Sequence, residues 1–533
     1  MTDISDQNYK LSGEEIPSEK RQSLIQKLYQ DLRNKQQKFL GYQANQGVFY
    51  KDETADFLNI HVNNIGDPFT SGNFTINSKI MERAVLDYYA KLWHATMRTD
   101  KGEQSIESYW GYVLSMGSSE GNIYGLWNAR DYLAGRKLKV DNDPEKNKKT
   151  SYLSPRTNKE NGNENAYTPV AFFSEDAHYS IVKYMRVLGI KTFSEIGYER
   201  YKGQNPISND GDWTRTPEVP SMDHSSGPGC IDIEALEMLV EFFASRGYPI
   251  LIVCNYGSTF KGAYDDVAAI QERLMPIFNR YGLENREATY DDVDENGKPC
   301  IKTDTRNGYW LHVDGALGAS YMPFIEKAFD QKKITTKGPV FDFRLPIVNS
   351  IVMSGHKWPG APWPCGIFMT KTKYQLFPPD DPAYIGSPDT TFAGSRNGYS
   401  AIIMWDYLAR NSYARQIEDA IYCENTAQYA YHQLIKLEQE HYSPGELFIA
   451  RTPLSLTIRF KQPNPTIIEN YSLSCESLYE TGVQRHYAHI FIMKSVTKKV
   501  IDKLIRDLGN NDAFPDINTA NKAEKFFHSS GWK

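Results

Sequence analysis

The stretch Ser354-Gly-His-Lys-Trp-Pro-Gly-Ala-Pro-Trp-Pro-Cys-Gly366 decides the fold. Upstream of it, Ser350-Ile-Val-Met353 is apolar and β-branched and reads as a short buried strand. Downstream, Ile367-Phe-Met-Thr370 reads as another. Between them Pro359, Pro362 and Pro364 rule out helix and strand alike, so the segment is a turn. Lys357 stands at the mouth of the first strand. A lysine beside another cation and partly desolvated gives up its proton readily and becomes a nucleophile toward carbonyls. His356 is its neighbour, placed also to reach a phosphate. A lone lysine in a loop is ordinarily a surface residue, so the reading depends on what lies upstream.

Upstream lies Tyr309-Trp-Leu-His-Val-Asp-Gly-Ala-Leu-Gly318, a strand that ends in an acid and continues into small residues. Asp314 at a strand end can hold a protonated pyridine nitrogen, and Ala316 is small enough to let a flat ring lie against the backbone. A lysine Schiff base with an acidic partner for the pyridinium is the pattern of pyridoxal 5'-phosphate (PLP) sites. Asp-x-Ala followed about 40 residues later by Ser-x-His-Lys resembles the group II PLP-dependent amino-acid decarboxylases, members of the fold-type I, aspartate aminotransferase-like superfamily. The resemblance covers roughly residues 55 to 505.

Further sites follow in chain order. Gly111-Tyr-Val-Leu-Ser-Met116 reads as a strand, and Gly117-Ser-Ser-Glu-Gly-Asn122 opens a helix. A strand, a Gly-Ser-Ser turn and a helix N-terminus offer free N–H groups and hydroxyls to a phosphate. The resemblance carries that role to Ser118 and Ser119. Ser174-Glu-Asp-Ala-His-Tyr-Ser180 follows another strand, and the resemblance makes His178 the imidazole stacked on the cofactor ring. Pro249-Ile-Leu-Ile-Val-Cys254 is a continuous apolar run, as in a parallel sheet covered on both faces, and the resemblance makes Thr259, in the Gly-x-Thr turn after it, a further cofactor contact. Ser354 and His356 complete the set around Lys357. These groups all fall just after predicted strands, where α/β sheets bind ligands. Gly394-Ser-Arg-Asn-Gly398 resembles the segment that crosses the family's dimer interface, which makes Ser395 a ligand to the partner's phosphate. Tyr413, on an accessible turn, is the candidate for returning a proton to Cα.

Strands alternate with helices from about 110 to 370, so the fold class is α/β with a mostly parallel sheet. The organisation expected is an N-terminal arm (1–75), a large PLP-binding domain (76–435) and a small α+β C-terminal domain with a tail (436–533). Ser23–Phe39 suggests an amphipathic arm helix, and the resemblance places the loop Ile60–Thr70 at the mouth of the site. Ile80, Ala84, Tyr88 and Leu92 mark one helix face, and Ile402, Trp405, Leu408 and Ala409 another. In the C-terminal part Leu447–Ala450, Leu454–Phe460 and His489–Met493 look like antiparallel strands, Val496–Leu508 like a helix, and the tail from Asn510 loosely ordered. The polar stretches 139–167, 201–229 and 284–308 read as solvated surface.

A net charge of −6 and a pI near 6.1 give no signal for nucleic acid or membrane. Six scattered cysteines without a CxxC pair argue against zinc or a disulfide framework, so no metal is expected and a reducing cytoplasm fits. The expected activity is decarboxylation of an L-amino acid by a cytoplasmic homodimer. NNIGDPF, SSEGN, DAHYS and GSRNG resemble the branch with histidine and serine decarboxylases. NSKIMERAVLDYYAKLW and the length are similar to bacterial decarboxylases of methionine or valine. A small apolar substrate such as methionine, valine, leucine or isoleucine is favoured over histidine. An aminotransferase, an amine-oxidising aldehyde synthase or an inactive binding homologue shares the fold, and the intact Asp314, His178 and Lys357 argue against the last.

Overall fold

The computed structural model describes residues 9–11, 15–47, 50, 54–99, 104–140, 150–156, 163–224, 227–294, 297–376, 384–480 and 482–515. The chain forms two compact units, Val48–Ile421 and Met1–Gly47 with Tyr422–Lys533. In chain order the strands of the first are β1 (Tyr109–Leu114), β2 (Lys137–Val140), β3 (Thr150–Leu153), β4 (Val170–Phe173), β5 (Lys191–Thr192), β6 (Ile250–Asn255), β7 (Arg286–Val293), β8 (Pro299–Arg306), β9 (Tyr309–Asp314), β10 (Val348–Ser354) and β11 (Gly366–Lys371). Seven of them make one sheet in the order β1-β11-β10-β9-β6-β4-β5. Only β11 runs against its neighbours, so the other six share one direction and present their carboxyl ends along one edge. The sequence expectation of a mostly parallel α/β sheet holds.

Register brings the functional ends level. Asp314 pairs with Asn255 on one side and with Val352 on the other. β1, β4, β6, β9 and β10 are buried along their whole length, which accounts for their predominantly apolar sequences. The helix Ser118–Leu133 lies on β9, β10 and β11 and is buried over most of its circumference. Its close approach requires glycine. A Cβ on Gly121 would come within 2.5 Å of Val352, and one on Gly125 within 2.6 Å of the His312 ring.

A buried ion pair fastens the segments around β1. Arg396 and Glu82 pair at 1% and 0% side-chain exposure. Glu82 also accepts from the Val113 N–H (3.0 Å) and the Asn64 amide (2.9 Å), and Arg396 donates to the Gly66 carbonyl (2.9 Å). This pair corrects one expected helix face. In Lys79–Leu92 the inward positions are Glu82, Val85, Leu86, Tyr89, Ala90 and Leu92, whereas Ile80 is 73% exposed and Ala84 is exposed too. In Gly398–Arg410 the buried side is Ala401–Met404 with Asp406 and Tyr407, and Trp405 points outward. In both helices a charged residue holds an inward position that apolar periodicity assigns elsewhere.

All three polar stretches contain structure among the described residues. Within 201–229 Trp213 is fully buried against Phe193, Phe242 and Phe243, and its indole donates to the Tyr201 carbonyl at 2.6 Å. Residues 284–308 contain the β7–β8 hairpin, and β2 pairs with β3 in the stretch 139–167, of which 141–149 and 157–162 lie outside the described residues.

The other unit has a three-stranded antiparallel sheet in the order β12-β14-β13, with β12 at Thr457–Lys461, β13 at Ser474–Glu480 and β14 at Val483–Phe491. The helix Lys498–Leu508 packs its Ile501, Leu504 and Leu508 into this unit's core. Leu447–Ala450 is not a strand and makes a single bridge, Ala450 to Arg459. Asn510–Pro515 is ordered, with Ala513 buried and its carbonyl accepting from Asn464 N at 2.8 Å. The helix Ser18–Gln36 buries none of its residues. Among the described residues no helix is long and apolar enough to cross a membrane.

Replacing Arg396 by Met strands the Glu82 carboxylate in the core. We expect a loss of about 3–5 kcal/mol, read from the denaturation midpoint. Adding Glu82→Gln to that variant removes the orphaned charge and should raise the midpoint again. A single variant as stable as the parent would show that the pair fastens nothing.

Candidate active site

A cleft of about 220 Å³ opens at the carboxyl ends of the parallel strands. β1 leads through a turn to Ser118 and Ser119, β4 to His178, β6 to Thr259, β9 to Asp314 and Ala316, and β10 to Ser354, His356 and Lys357. All nine line this one cleft. Sequence reasoning missed Asn122, Asn255, Gly257 and Ser258, which line it too, and Met116, Tyr179 and Pro364. Asn122 was within reach of periodicity, since it stands one helical turn after Ser118 on the same face.

The loops are cross-tied. The Ser354 N–H donates to the Ala316 carbonyl (2.9 Å), and Ser354 Oγ accepts from Ser118 N (3.1 Å) while donating to Ser118 Oγ (2.9 Å). Gly117 caps the helix Ser118–Leu133 at φ +74°, and a Cβ there would lie 2.6 Å from the His356 ring. This glycine therefore lets the imidazole lie on the helix N-terminus, where the backbone favours anions.

Electrostatics separate the groups. Burial lowers the Lys357 amine from its usual 10.5 to about 8, with the Asp314 carboxylate working in the opposite sense. His356 is pushed down to about 4, by burial first and by Lys357 second. His356 is thus neutral near pH 7. This corrects the expected cause of lysine activation: desolvation lowers its pKa, without a cationic neighbour. His178 caps the helix Tyr179–Leu188, its Nδ1 accepting from the Ser180 N–H at 3.3 Å. Burial holds it below its usual pKa, so it too is neutral. Asp314 is buried, accepts from Asn122 Nδ2 at 2.8 Å and from Ala316 N at 3.2 Å, and faces Lys357 across the cleft. Asp176, in the same turn as His178, holds Lys261 (3.0 Å) and Ser221 (2.6 Å).

Ser395 and Tyr413 do not line this cleft. Ser395 is exposed and accepts from the Asn63 amide at 3.1 Å. Tyr413 begins the helix Tyr413–His441, with its ring edge-on to Tyr88 and Phe324, and partial burial raises its phenol pKa. The segment Ile60–Thr70 is tied to the Arg396 region rather than to the cleft.

The lining suits PLP. It holds a lysine whose amine is easily deprotonated, a buried carboxylate that accepts from two donors, hydroxyls at a helix N-terminus for a phosphate, and Ala316 and Gly257 where a flat ring needs room. Among the described residues no group of three His, Cys, Asp or Glu could hold a metal ion.

Comparison with known proteins agrees with this geometry. Residues 218–397 match the model of the pyridoxal-dependent decarboxylase conserved domain. The crystal structure of L-methionine decarboxylase from Streptomyces sp. 590, in complex with L-methionine methyl ester, superposes with a TM-score of 0.86 at 43% identity, covering 95% of this chain and 98% of that one. A histidine decarboxylase of Solanum lycopersicum is 28% identical over 91% of this chain and 87% of its own length. Serine decarboxylase 2 of Oryza sativa subsp. japonica is 26% identical, over 90% and 76%.

The lowered Lys357 pKa has a kinetic consequence. Only the neutral amine attacks a carbonyl, so PLP uptake by the cofactor-free protein should accelerate about tenfold per pH unit below pH 8 and level off above it. Stopped-flow absorbance at fixed PLP concentration measures this. A rate still climbing tenfold per unit beyond pH 9 would mean an ordinary exposed lysine.

Proposed function

Because the chain belongs to the pyridoxal-dependent amino-acid decarboxylases, we propose that its substrate is L-methionine and that it works as a homodimer with shared sites. The protein is a lyase that uses PLP to release CO2 from an amino acid. Bound in the cleft, the cofactor supplies an electron sink for the pair left behind by the departing CO2. In this reading the protein's own residues do the rest. Lys357 holds the cofactor covalently and yields its place to the substrate amine. Asp314 keeps the ring nitrogen protonated by offering it a buried negative charge. Ser118, Ser119, Ser354 and His356 hold the phosphate at the helix N-terminus, and Thr259 and Ala316 bound the ring. His178, neutral and stacked, orients the substrate carboxylate. Ser395 reaches the phosphate in the partner's cleft, and Tyr413, whose raised pKa keeps its proton, returns a proton to Cα.

The observation that carries methionine is the character of the lining. Apart from Asp314 and Lys357 its described side chains are uncharged, and Met116, Tyr179 and Pro364 offer apolar and aromatic contacts that suit a thioether. The 43% identity with L-methionine decarboxylase supports the same choice. Histidine is the second reading, favoured by the 28% identical relative.

Measuring CO2 released from each of the twenty common amino acids tests the proposal. Methionine should give the highest kcat/KM, with valine, leucine and isoleucine next. Histidine as the best substrate would overturn the choice. In the same assay Tyr413→Phe should make amine roughly 10²–10⁴ more slowly while binding PLP normally. Mixing Lys357→Ala with Ser395→Ala chains should restore part of the activity, and no restoration after subunit exchange would refute the shared site.

A further inference from the structure

Behind Asp314 lies a chain of buried polar groups that the reaction does not touch directly. Trp310 Nε1 lies 3.1 Å from Ser350 Oγ, and Ser350 Oγ lies 2.7 Å from His312 Nδ1. His312 Nε2 lies 2.9 Å from Asn122 Oδ1. Asn122 Nδ2 lies 2.8 Å from Asp314 Oδ2 and 3.4 Å from Ser180 Oγ, which is itself 2.7 Å from His178 Nδ1. Trp310, Ser350, His312, Asn122 and Ser180 are all at most 1% exposed, so water competes for none of these bonds.

A carboxylate accepts, so the Asn122 amide turns its NH2 toward the cleft, one hydrogen on Asp314 and the other toward Ser180, and its Oδ1 toward His312. His312 Nε2 must then donate, which leaves Nδ1 of the neutral ring to accept the Ser350 hydroxyl proton. The Trp310 indole N–H, which can only donate, gives its proton to Ser350 Oγ. On the other branch His178 Nδ1 accepts the Ser180 N–H at 3.3 Å and so carries no proton; the Ser180 hydroxyl donates to it as well, and the His178 proton is on Nε2. Burial pushes the His312 pKa down to about 4, consistent with a neutral ring that donates from one nitrogen only. Gly125 leaves the space in which that ring lies.

We propose that Asn122 and His312 are positioning residues: His312 locks the Asn122 amide, and the amide sets Asp314 as an acceptor-only carboxylate and His178 as the Nε2–H tautomer. The proposal rests on the assignment of the cleft to PLP. Without the His312 donor the amide is held at one end only, so it can swing its NH2 away from Asp314 and leave the carboxylate with the Ala316 N–H as its remaining donor.

The test uses the PLP-loaded enzyme. Neutron diffraction on deuterated crystals should place a deuteron on Nε2 of both His312 and His178 and none on either Nδ1. A deuteron on Nδ1 of either ring overturns the proposal, and this holds whether or not any variant folds. With PLP labelled by 15N in the ring, the wild-type signal should be that of a protonated nitrogen. In His312→Phe it should move toward the unprotonated value and PLP affinity should fall roughly 10- to 100-fold, the weight of a hydrogen bond to a charged group. His312→Gln, whose amide can again donate to Asn122, should restore the signal. An unchanged ring-nitrogen signal in His312→Phe refutes the role of His312. Failure of the wild-type protein to take up PLP at all would instead refute the reading of the cleft.

Discussion

A lysine that gives up its proton easily and a carboxylate met by hydrogen-bond donors share one buried cleft, and the rest of the site is arranged around that pair. Burial disfavours the charge on each. It lowers the Lys357 amine to about 8 in spite of the nearby negative charge, so the proton leaves readily. Asp314 is met by donors: the Ala316 N–H and the Asn122 amide both point at its oxygens. Topology places the two groups. Asp314 ends a central strand, with Asn255 and Val352 level on either side and a buried helix across its face, so donors surround it. Lys357 stands on the turn after the next strand, where the cleft opens.

That arrangement explains how much could be read in advance. Parallel strands covered on both faces are written as unbroken apolar runs, so Ile250–Cys254 and Ser350–Met353 declared themselves, and with them the residues at their ends. Ser118, His178, Thr259, Asp314 and Lys357 meet because six strands point the same way, which pattern alone implied. The donors behind Asp314 were less legible. Asn122 and His312 lie 190 residues apart, and nothing local in either segment announces a bond between them. His312 and Asp314 do alternate along one strand and so share a face. That signal selects the residue but not its partner.

Errors in helix faces have one physical origin. Periodicity counts apolar residues, and it fails where a charged side chain is buried with its partner. Glu82 turns inward because Arg396, Val113 and Asn64 satisfy its oxygens, and Ile80 is carried to the outside as a result. Trp405 is displaced in the same way by the inward Asp406. The stretch 201–229 shows the complementary failure: its composition is polar, yet a single tryptophan, Trp213, anchors it through three aromatic neighbours.

The central claim is that Lys357 is the residue that carries the cofactor. Borohydride reduction of the purified, PLP-loaded protein followed by digestion and mass spectrometry tests it most directly. The account predicts one phosphopyridoxyl group per chain, on the peptide containing Ser354-Gly-His-Lys357. A modification found on any other lysine, with Lys357 unlabelled, would contradict it.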